Sequence, residues 1–242
     1  MFREDNTIPF IARYRKEQTG NLDEEQLRNI HDEMHRLENL EDRRRTVLQS
    51  IEEQGKLTDQ LRHQILSVET STALEDLYQP YRPKRRTKAM VAVEKGLEPL
   101  ADLITKQVVT DQKIDDLILP FITEVVPDQK SAIDGASDIL AERISDNATI
   151  RSRVRNIALE SGKITCEKRQ DAEDDRRVFE MYYLFECPIR SLQAHQVLAI
   201  NRGEKEEILR VNLFLDQNDW RQIIQTQYSP DPRSVFYEIL IQ

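Results

Sequence analysis

The sequence predicts a mainly α-helical protein, and three observations support this fold class. Apolar residues recur at steps of three and four along most of the chain, which places them on one face of an α-helix. Residues that cap helix N-termini precede many of these runs. Glycine occurs only 6 times and charged residues make up 33 % of the chain, which suits long solvated helices. We expect a multi-helix bundle with one long bracing helix, a helix-turn-helix-like unit and a small two-stranded β patch.

The longest predicted helix runs from about Asp23 to Gln54. Asn21 can cap its N-terminus, and Glu24 three residues later can complete a capping box. Gly55 is the expected stop. At 1.5 Å per residue this helix is roughly 48 Å long, so we expect it to brace the rest of the domain. Its apolar stripe consists of Leu27, Ile30, Met34, Leu37, Leu40, Val47, Leu48 and Ile51.

Shorter helices follow, and most have a capping residue before them or a glycine after them. Thr58 is the predicted N-cap of the first, and Gly96 and Gly162 end the third and the last. Pro80 and Pro83 break the helical pattern between the second and the third. In chain order the predicted helices are Asp59–Leu66, Ala73–Tyr78, Ala89–Lys95, Glu98–Thr105, Asp111–Ile122, Asp128–Ser145 and Ala148–Ser161.

Beyond Gly162 the character of the sequence changes. Lys163–Lys168 is predicted to form a short strand, and the alternating segment Leu209–Leu215 a second one. The charged run Gln170–Arg177 between them is interpreted as a solvated loop or a first helical turn, and the aromatic segment Phe179–Phe185 as buried. The last predicted helices are Ala194–Asn201, Asp219–Thr226 and Pro232–Ile241.

Both ends of the chain carry apolar residues. Chain ends are normally polar and loosely held, so the run Ile239–Ile241 needs a partner surface. Either another part of the chain covers these side chains, or the native protein continues, and we favour continuation. At the other end, the apolar residues of Ile8–Ala12 begin almost at once.

The sequence predicts a soluble, cytoplasmic protein without a membrane partner. No apolar run approaches the roughly 20 residues of a membrane span. The segment Met1–Asp5 lacks the basic-then-apolar layout of a signal peptide. The two cysteines, Cys166 and Cys187, are not part of a CxxC pair or a His/Cys cluster, so we expect thiols in a reducing compartment.

Sequence motifs for catalysis are missing, and we predict no catalytic residue, no metal site and no cofactor. The sequence contains no G-x-S-x-G, Walker A, H-E-x-x-H or G-x-G-x-x-G motif. His31 and His35 have a metal-compatible spacing on a helix, but the nearby Glu38 does not stand out as a third ligand on a charged face. We therefore interpret the two histidines as part of a solvated face, and we do not expect an enzyme.

The charge of the chain allows only local contact with nucleic acid. Its 44 acidic and 35 basic side chains give a net charge of −9, whereas proteins that wrap nucleic acid are usually basic. The segment from Arg82 to Lys88 is a basic exception that contains no acid and is stiffened by Pro83. Its candidate cations are Arg82, Lys84, Arg85, Arg86 and Lys88.

Two interpretations of this basic segment remain open. Thr87 can cap the following helix, whose N-terminal amides would favour an anion, so the segment can bind nucleic acid or another polyanion. Alternatively, it is a solvated loop whose cations pair with acids on the long helix.

Two further basic segments carry less weight. In the first, the apolar residues of Ile8–Ala12 can anchor the chain while Arg13, Arg15 and Lys16 point outward or pair with acids. These three cations are additional nucleic-acid-binding candidates. The second, Arg43–Arg45, lies mid-helix beside acidic residues and is interpreted as ordinary surface.

Long stretches of the sequence closely resemble the bacterial Tex family of transcription accessory proteins. They cover nearly the whole chain and are far more specific than a short motif, although the match is looser after about Gly162. The matching stretches are Asn6–Glu17, Thr19-Gly20, Leu22-Asp23, Ser50–Thr58, Leu74–Ala89, Gly96–Ala101, Gly135–Glu142 and Ala194–Gly203.

The resemblance implies a fragment of an RNA-binding transcription accessory protein. In the family, an RNase-H-like YqgF-type domain, a helix-hairpin-helix segment and an OB-fold RNA-binding domain follow the helical region. We expect a Tex-like N-terminal helical domain at residues 1–162 and a central α+β segment at 163–242, truncated before the YqgF-type domain. The chain would be a scaffold that supports RNA or DNA binding, mostly by the missing domains, with the transcription machinery as a further partner. The alternative is a protein-interaction scaffold that docks RNA polymerase or another partner without touching nucleic acid.

Overall fold

Helices dominate the computed structural model, which describes residues 1–2 and 6–241 and confirms the mainly α prediction. The chain forms two compact units, Met1–Arg82 and Pro83–Gln242. Arg3–Asp5, part of the segment that argued against a signal peptide, lies outside the described residues. Within residues 1–2 and 6–241, none of the helices combines the length and the apolar character that crossing a membrane requires.

The first unit is built on one long helix, as predicted. Its helices are α1 (Ile8–Tyr14), α2 (Lys16–Thr19), α3 (Glu24–Glu53), α4 (Asp59–Ser67) and α5 (Ser71–Tyr78). Thr58 caps α4 as expected, because its side chain accepts the Leu61 N–H. The helices α4 and α5 pack on the C-terminal half of α3. Their shared core consists of Leu40, Val47, Ile51, Leu61, Ile65, Leu74 and Tyr78.

The predicted cap of α3 was wrong by two residues. Asp23, not Asn21, caps the helix, and it forms a capping box in which Gln26 reaches back to the Asp23 N–H. Gly20 is the left-handed C-cap of α2, and Asn21 follows it with a φ of 65° and donates its N–H to the Lys16 carbonyl, so Asn21 belongs to the end of α2 and not to the start of α3. A left-handed residue that satisfies the last carbonyls of one helix is a common helix ending.

The second unit contains the remaining helices and the sheet. In chain order these are α6 (Lys88–Glu94), α7 (Glu98–Thr105), α8 (Ile114–Ile118), α9 (Gln129–Asp146), α10 (Ala148–Ser161), β1 (Lys163–Lys168), β2 (Leu184–Pro188), α11 (Ala194–Lys205), β3 (Leu209–Phe214), α12 (Gln217–Tyr228) and α13 (Tyr237–Ile241). The bounds predicted for α7, α10 and β1 are confirmed at both ends. The helix predicted at Asp111–Ile122 is shorter, because Thr110 accepts the Gln112 N–H and forms a turn there instead.

The helical core of the second unit lies where α6, α7 and α9 meet. Gly135 allows close packing, since a Cβ at this position would lie 2.4 Å from Leu97 Cδ1. Phe236 is completely buried in this core, and Ile239 packs against it. Leu240 likewise packs, partly buried, against this core, whereas Ile241 is 37 % exposed, so the chain covers part of the apolar run that the sequence indicated.

The predicted two-stranded patch is a three-stranded antiparallel sheet of order β2-β1-β3. Cys166 on β1 lies opposite Phe185 on β2 and Val211 on β3. The strand β2 was missed because it begins inside the aromatic segment Phe179–Phe185, which the sequence predicted to be buried without assigning it a strand. Phe179 is buried as expected, but Leu184 is 96 % exposed. The domain division after residue 162 and the helix-turn-helix-like unit stay predictions.

Candidate nucleic-acid interface

The basic segment Arg82–Lys88 contains one cation that is used for internal structure. The Lys84 ammonium lies 2.7 Å from Glu142 Oε1 and 2.5 Å from Asp146 Oδ2, and its side chain is only 21 % exposed. Burial alone would lower the pKa of Lys84, but the hydrogen bonds to Asp146 and Glu142 outweigh this effect and raise the pKa. The same Lys84 hydrogen bond lowers the pKa of Glu142. Lys84 is thus already neutralised.

Thr87 connects this network to the start of α6. Its Oγ1 accepts the Met90 N–H at 3.1 Å, which confirms it as the N-cap, and its hydroxyl donates to Glu142 Oε2 at 2.7 Å. The position that the sequence offered to a bound anion therefore already has a carboxylate of the chain beside it. The acids that pair with Lys84 and Thr87 lie on α9, and not on the long helix as one of the interpretations held.

The other cations of the segment differ in whether they pair with an acid of the chain. Arg86 donates to Glu94 at 2.6 Å in an exposed ion pair. Arg85 and Lys88 are exposed, and within the described part of the chain their side chains have neither a hydrogen bond nor an ion pair. Arg82 is an exposed residue of the first unit. Two of the four candidates in the second unit are thus available to a phosphate.

The segment that joins α1 and α2 presents exposed cations beside exposed aromatic rings. Ile11 is buried and anchors α1, whereas Arg13, Arg15 and Lys16 are exposed. Across residues 1–2 and 6–241, these three side chains form no ion pair with a carboxylate. We call the set formed by Phe10, Arg13, Tyr14, Arg15 and Lys16 the α1–α2 surface.

The rings of the α1–α2 surface pack on each other at its centre. The centroids of Phe10 and Tyr14 are 5.2 Å apart, and the Arg15 guanidinium lies 5.9 Å from the Phe10 centroid. The Tyr14 side chain is 71 % exposed, although an aromatic ring of this size is usually largely covered. The two exposed rings were not singled out by the sequence analysis, which weighed only the cations.

The cluster Arg43–Arg45 was interpreted as ordinary surface, and this is wrong for two of its members. Arg43 forms a double hydrogen bond with Glu75 at 2.5 and 3.1 Å. Arg44 donates to the Ile65 and Val68 carbonyls at 3.1 and 2.7 Å. These carbonyls at the end of α4 have no partner within their own helix, so Arg44 caps it. Every helix end leaves carbonyls that require a donor, but the sequence does not show which arginine supplies it for α4.

The remaining candidate ligands and nucleophiles do not form a three-residue metal site in the described part of the chain. Over residues 1–2 and 6–241, no group of three or more His, Cys, Asp or Glu is arranged to hold a metal ion. Cys166 and Cys187 are free thiols, and burial raises the pKa of Cys166. The charged run after β1 forms a loop held by Asp174, which accepts the Val178 and Phe179 N–H groups at 3.0 Å.

Comparison with known proteins gives a consistent picture. Residues 1–52 match the model described as Tex-like protein N-terminal domain, and residues 109–234 match the model described as Tex central region-like. The chain is 41 % identical over 222 residues to "Transcriptional accessory protein Tex" of Neisseria gonorrhoeae, covering 92 % of this chain and 29 % of that protein. It is 42 % identical over 212 residues to "Protein tex" of Bordetella pertussis, covering 87 % of this chain and 26 % of that protein.

A human protein is also similar to the chain. "S1 RNA-binding domain-containing protein 1" of Homo sapiens is 30 % identical over 246 residues, which covers 91 % of this chain and 24 % of that protein. The chain thus spans less than a third of the length of each of these curated relatives.

Proposed function

Because the chain belongs to the Tex family, we propose that it is a helical scaffold that contacts nucleic acid within a transcription accessory protein. Two relatives carry names that support this proposal. One is called a transcriptional accessory protein, and another is called an S1 RNA-binding domain-containing protein. The proposal for the present chain depends on its own surface, since it spans only part of these proteins.

The observation that carries the proposal is the α1–α2 surface. Three of its members are cations that no carboxylate of the described residues neutralises. Phosphate groups are the natural partners of such cations, because neutralising them releases condensed counterions into solution. The local positive charge stands out on a chain whose net charge is −9, so it would direct a polyanion to this place.

The aromatic rings supply a second kind of contact. Exposed rings beside a cationic groove stack on nucleobases, and each stacked base contributes about 1–3 kcal/mol to binding. Tyr14 is the more exposed of the two rings, and Phe10 supports it from the side. Cations alone would be compatible with a solvated helix, whereas cations and an uncovered ring on one short segment favour nucleic acid.

On the second unit, Arg85 and Lys88 form a smaller contact. We interpret Lys84 as a positioning residue, because its ion pairs with α9 fix the backbone from which these two cations project. Arg86 can contribute only if it leaves Glu94. Of the five cations that the sequence suggested in this segment, Arg85 and Lys88 are therefore the contacts and Lys84 is the positioning residue.

The experiment is a titration of labelled single-stranded and duplex RNA and DNA, followed by fluorescence anisotropy over a range of salt concentrations. The variant Arg13→Ala/Arg15→Ala/Lys16→Ala removes three phosphate contacts. We expect its log Kd to depend on log salt with a slope that is shallower by about 2 on a single strand, at about 0.7 per contact. A second variant, Tyr14→Ala, should weaken binding at every salt concentration without changing this slope, because stacking releases no counterions.

A matched control removes the same charge from the same unit. The variant Arg28→Ala/Arg45→Ala/Arg62→Ala replaces exposed arginines that lie in ion pairs with acids of the chain. It should bind almost as well as the unchanged chain. Equal losses in the two triple variants would mean that only net charge matters, and absence of binding at low salt would refute the proposal.

One observation favours a second function, docking of a protein partner without contact to nucleic acid. Val178, Met181 and Leu184 are 56 %, 85 % and 96 % exposed within seven residues of the second unit. Several large apolar side chains left exposed on one short segment are a feature of interaction sites. Co-purification with RNA polymerase that survives nuclease, and that Met181→Asp/Leu184→Asp abolishes, would support this alternative. Nuclease-sensitive co-purification would favour the first proposal.

We also propose that this chain has no catalytic role of its own and acts in the cytoplasm. No catalytic motif is present in its sequence. A nuclease assay on the purified chain with Mg²⁺ or Mn²⁺ tests this, and cleavage above background that co-purifies with the chain would contradict it.

A further inference from the structure

His31 and His35 face each other on one side of α3. They are one helical turn apart, and their Nε2 atoms lie only 3.1 Å from each other. The ring centroids are 4.4 Å apart with an interplanar angle of 73°. The Phe2 ring packs edge-on against His31 at 5.2 Å and limits its rotation. Both imidazoles are accessible, with side chains that are 32 % and 55 % exposed.

The second nitrogen of each ring faces a carboxylate. His31 Nδ1 lies 3.5 Å from Asp32 Oδ1, and His35 Nδ1 lies 3.7 Å from Glu38 Oε2. A carboxylate beside Nδ1 favours the tautomer that carries its proton there, which leaves the lone pair on Nε2. At 3.1 Å the two Nε2 atoms either share one proton in a hydrogen bond or, when both protons lie on Nδ1, direct two lone pairs at a space that a cation can fill.

We propose that His31 and His35 bind one divalent transition-metal ion through their Nε2 atoms. A metal about 2.05 Å from each nitrogen would make an N–metal–N angle of about 98° at the observed separation. This lies between the 90° of tetragonal Cu²⁺ or Ni²⁺ and the 109° of tetrahedral Zn²⁺, ions that imidazole suits. Water occupies the remaining coordination positions.

The structure changes how the neighbouring acids are understood. The sequence argued against a metal site because no residue stood out as a third ligand. Asp32 and Glu38 approach the Nδ1 atoms instead, and this is where carboxylates stand behind metal-bound histidines in proteins. The site therefore has two protein ligands, each with a carboxylate near its Nδ1.

Metal binding here would stabilise a poorly covered part of the first unit. The shared core of α3, α4 and α5 begins at Leu40, whereas Ile30 and Leu37 are 46 % and 49 % exposed. A metal that joins residues four apart holds one turn of this half of α3 in helical form. A ligand that binds only the folded chain raises its stability in proportion to the logarithm of ligand concentration over Kd.

The test uses the untagged chain, with Cu²⁺, Ni²⁺, Zn²⁺ or Mg²⁺ added as the chloride. We expect titration calorimetry to show one site that is tightest for Cu²⁺ and absent for Mg²⁺, and the three transition metals to raise the unfolding temperature. The variant His35→Ala should lower the affinity at least about tenfold, the usual scale even for loss of an orienting partner. This exposed position should tolerate alanine, which circular dichroism can verify.

Two further variants make the result decisive. His63→Ala/His195→Ala removes the histidines outside the pair and should leave metal binding unchanged. Asp32→Asn/Glu38→Gln keeps both ligands and should weaken binding less than His35→Ala does, because only the negative charge near the Nδ1 atoms is lost. The proposal is overturned if the metals give no shift, which would mean that the histidines only share a proton. It is equally overturned if the shift persists in His35→Ala.

Discussion

Replacing Glu142 by glutamine should destabilise the second unit, because Glu142 joins the basic segment to α9. Glu142 accepts hydrogen bonds from the Lys84 ammonium and from the Thr87 hydroxyl, both at 2.7 Å. A hydrogen bond to a charged group contributes about 1.5–3 kcal/mol to stability. Glutamine can still accept one of the two bonds, and Asp146 still pairs with Lys84. Because part of the network faces solvent, we expect a loss of about 1–2 kcal/mol.

Urea unfolding followed by tryptophan fluorescence measures this loss. The only tryptophan, Trp220, lies on α12 in the second unit, so its signal reports on the unit that contains the network. The midpoint should fall at an unchanged slope. The matched control is Glu94→Gln, which removes the partner of Arg86 from an ion pair that is more than half exposed. Such a pair contributes about 1 kcal/mol or less. Equal midpoint shifts in the two variants would refute the reasoning.

The same variant has a defined pH dependence. The Lys84 hydrogen bond lowers the pKa of Glu142 from its ordinary 4.5, so the ionised carboxylate stabilises the fold above that value. This contribution is lost as the pH falls through the lowered pKa. The pKa of Lys84 is raised above 10.5, and its contribution is lost only as the pH rises through that raised value. The stability difference between the unchanged chain and Glu142→Gln should be constant near neutral pH and shrink below about pH 4.5.

Three other changes have expected outcomes. Arg44→Leu leaves the last carbonyls of α4 without their donor and should cost about 1–3 kcal/mol in urea unfolding, whereas Arg45→Leu on the exposed face should be nearly neutral. Gly135→Ala pushes a methyl group into the buried Leu97 side chain and should cost about 1–3 kcal/mol; an unchanged midpoint would contradict the close packing there. Asp174→Asn weakens the acceptor of two backbone N–H groups and a tyrosine hydroxyl, so limited proteolysis should cleave the loop after β1 faster.

Local features of the chain were largely predictable. The bounds of α7, α10 and β1, and the caps at Thr58 and Thr87, depend on residues within one or two turns. The error at Asn21 has the same local origin, because two residues of capping type lie close together and backbone conformation decides between them. The strand β2 was harder, since three residues of this five-residue edge strand are exposed and the strand shows little apolar pattern.

The sequence by itself determined the helical fold class, the long α3 helix and the family. Hydrophobic spacing, caps and long matching stretches depend only on residues that are close together in the sequence. Only the tertiary structure decided which charged groups are available. Lys84 meets acids 58 and 62 residues away, and once they neutralise it the basic segment retains Arg85 and Lys88 as free cations within the second unit's described residues. The His31–His35 pair shows the same division: spacing placed both rings on one face, but only their orientation brought two nitrogens to 3.1 Å. Ion pairs and ring orientation depend on what the rest of the fold brings near, and a linear pattern does not contain that information.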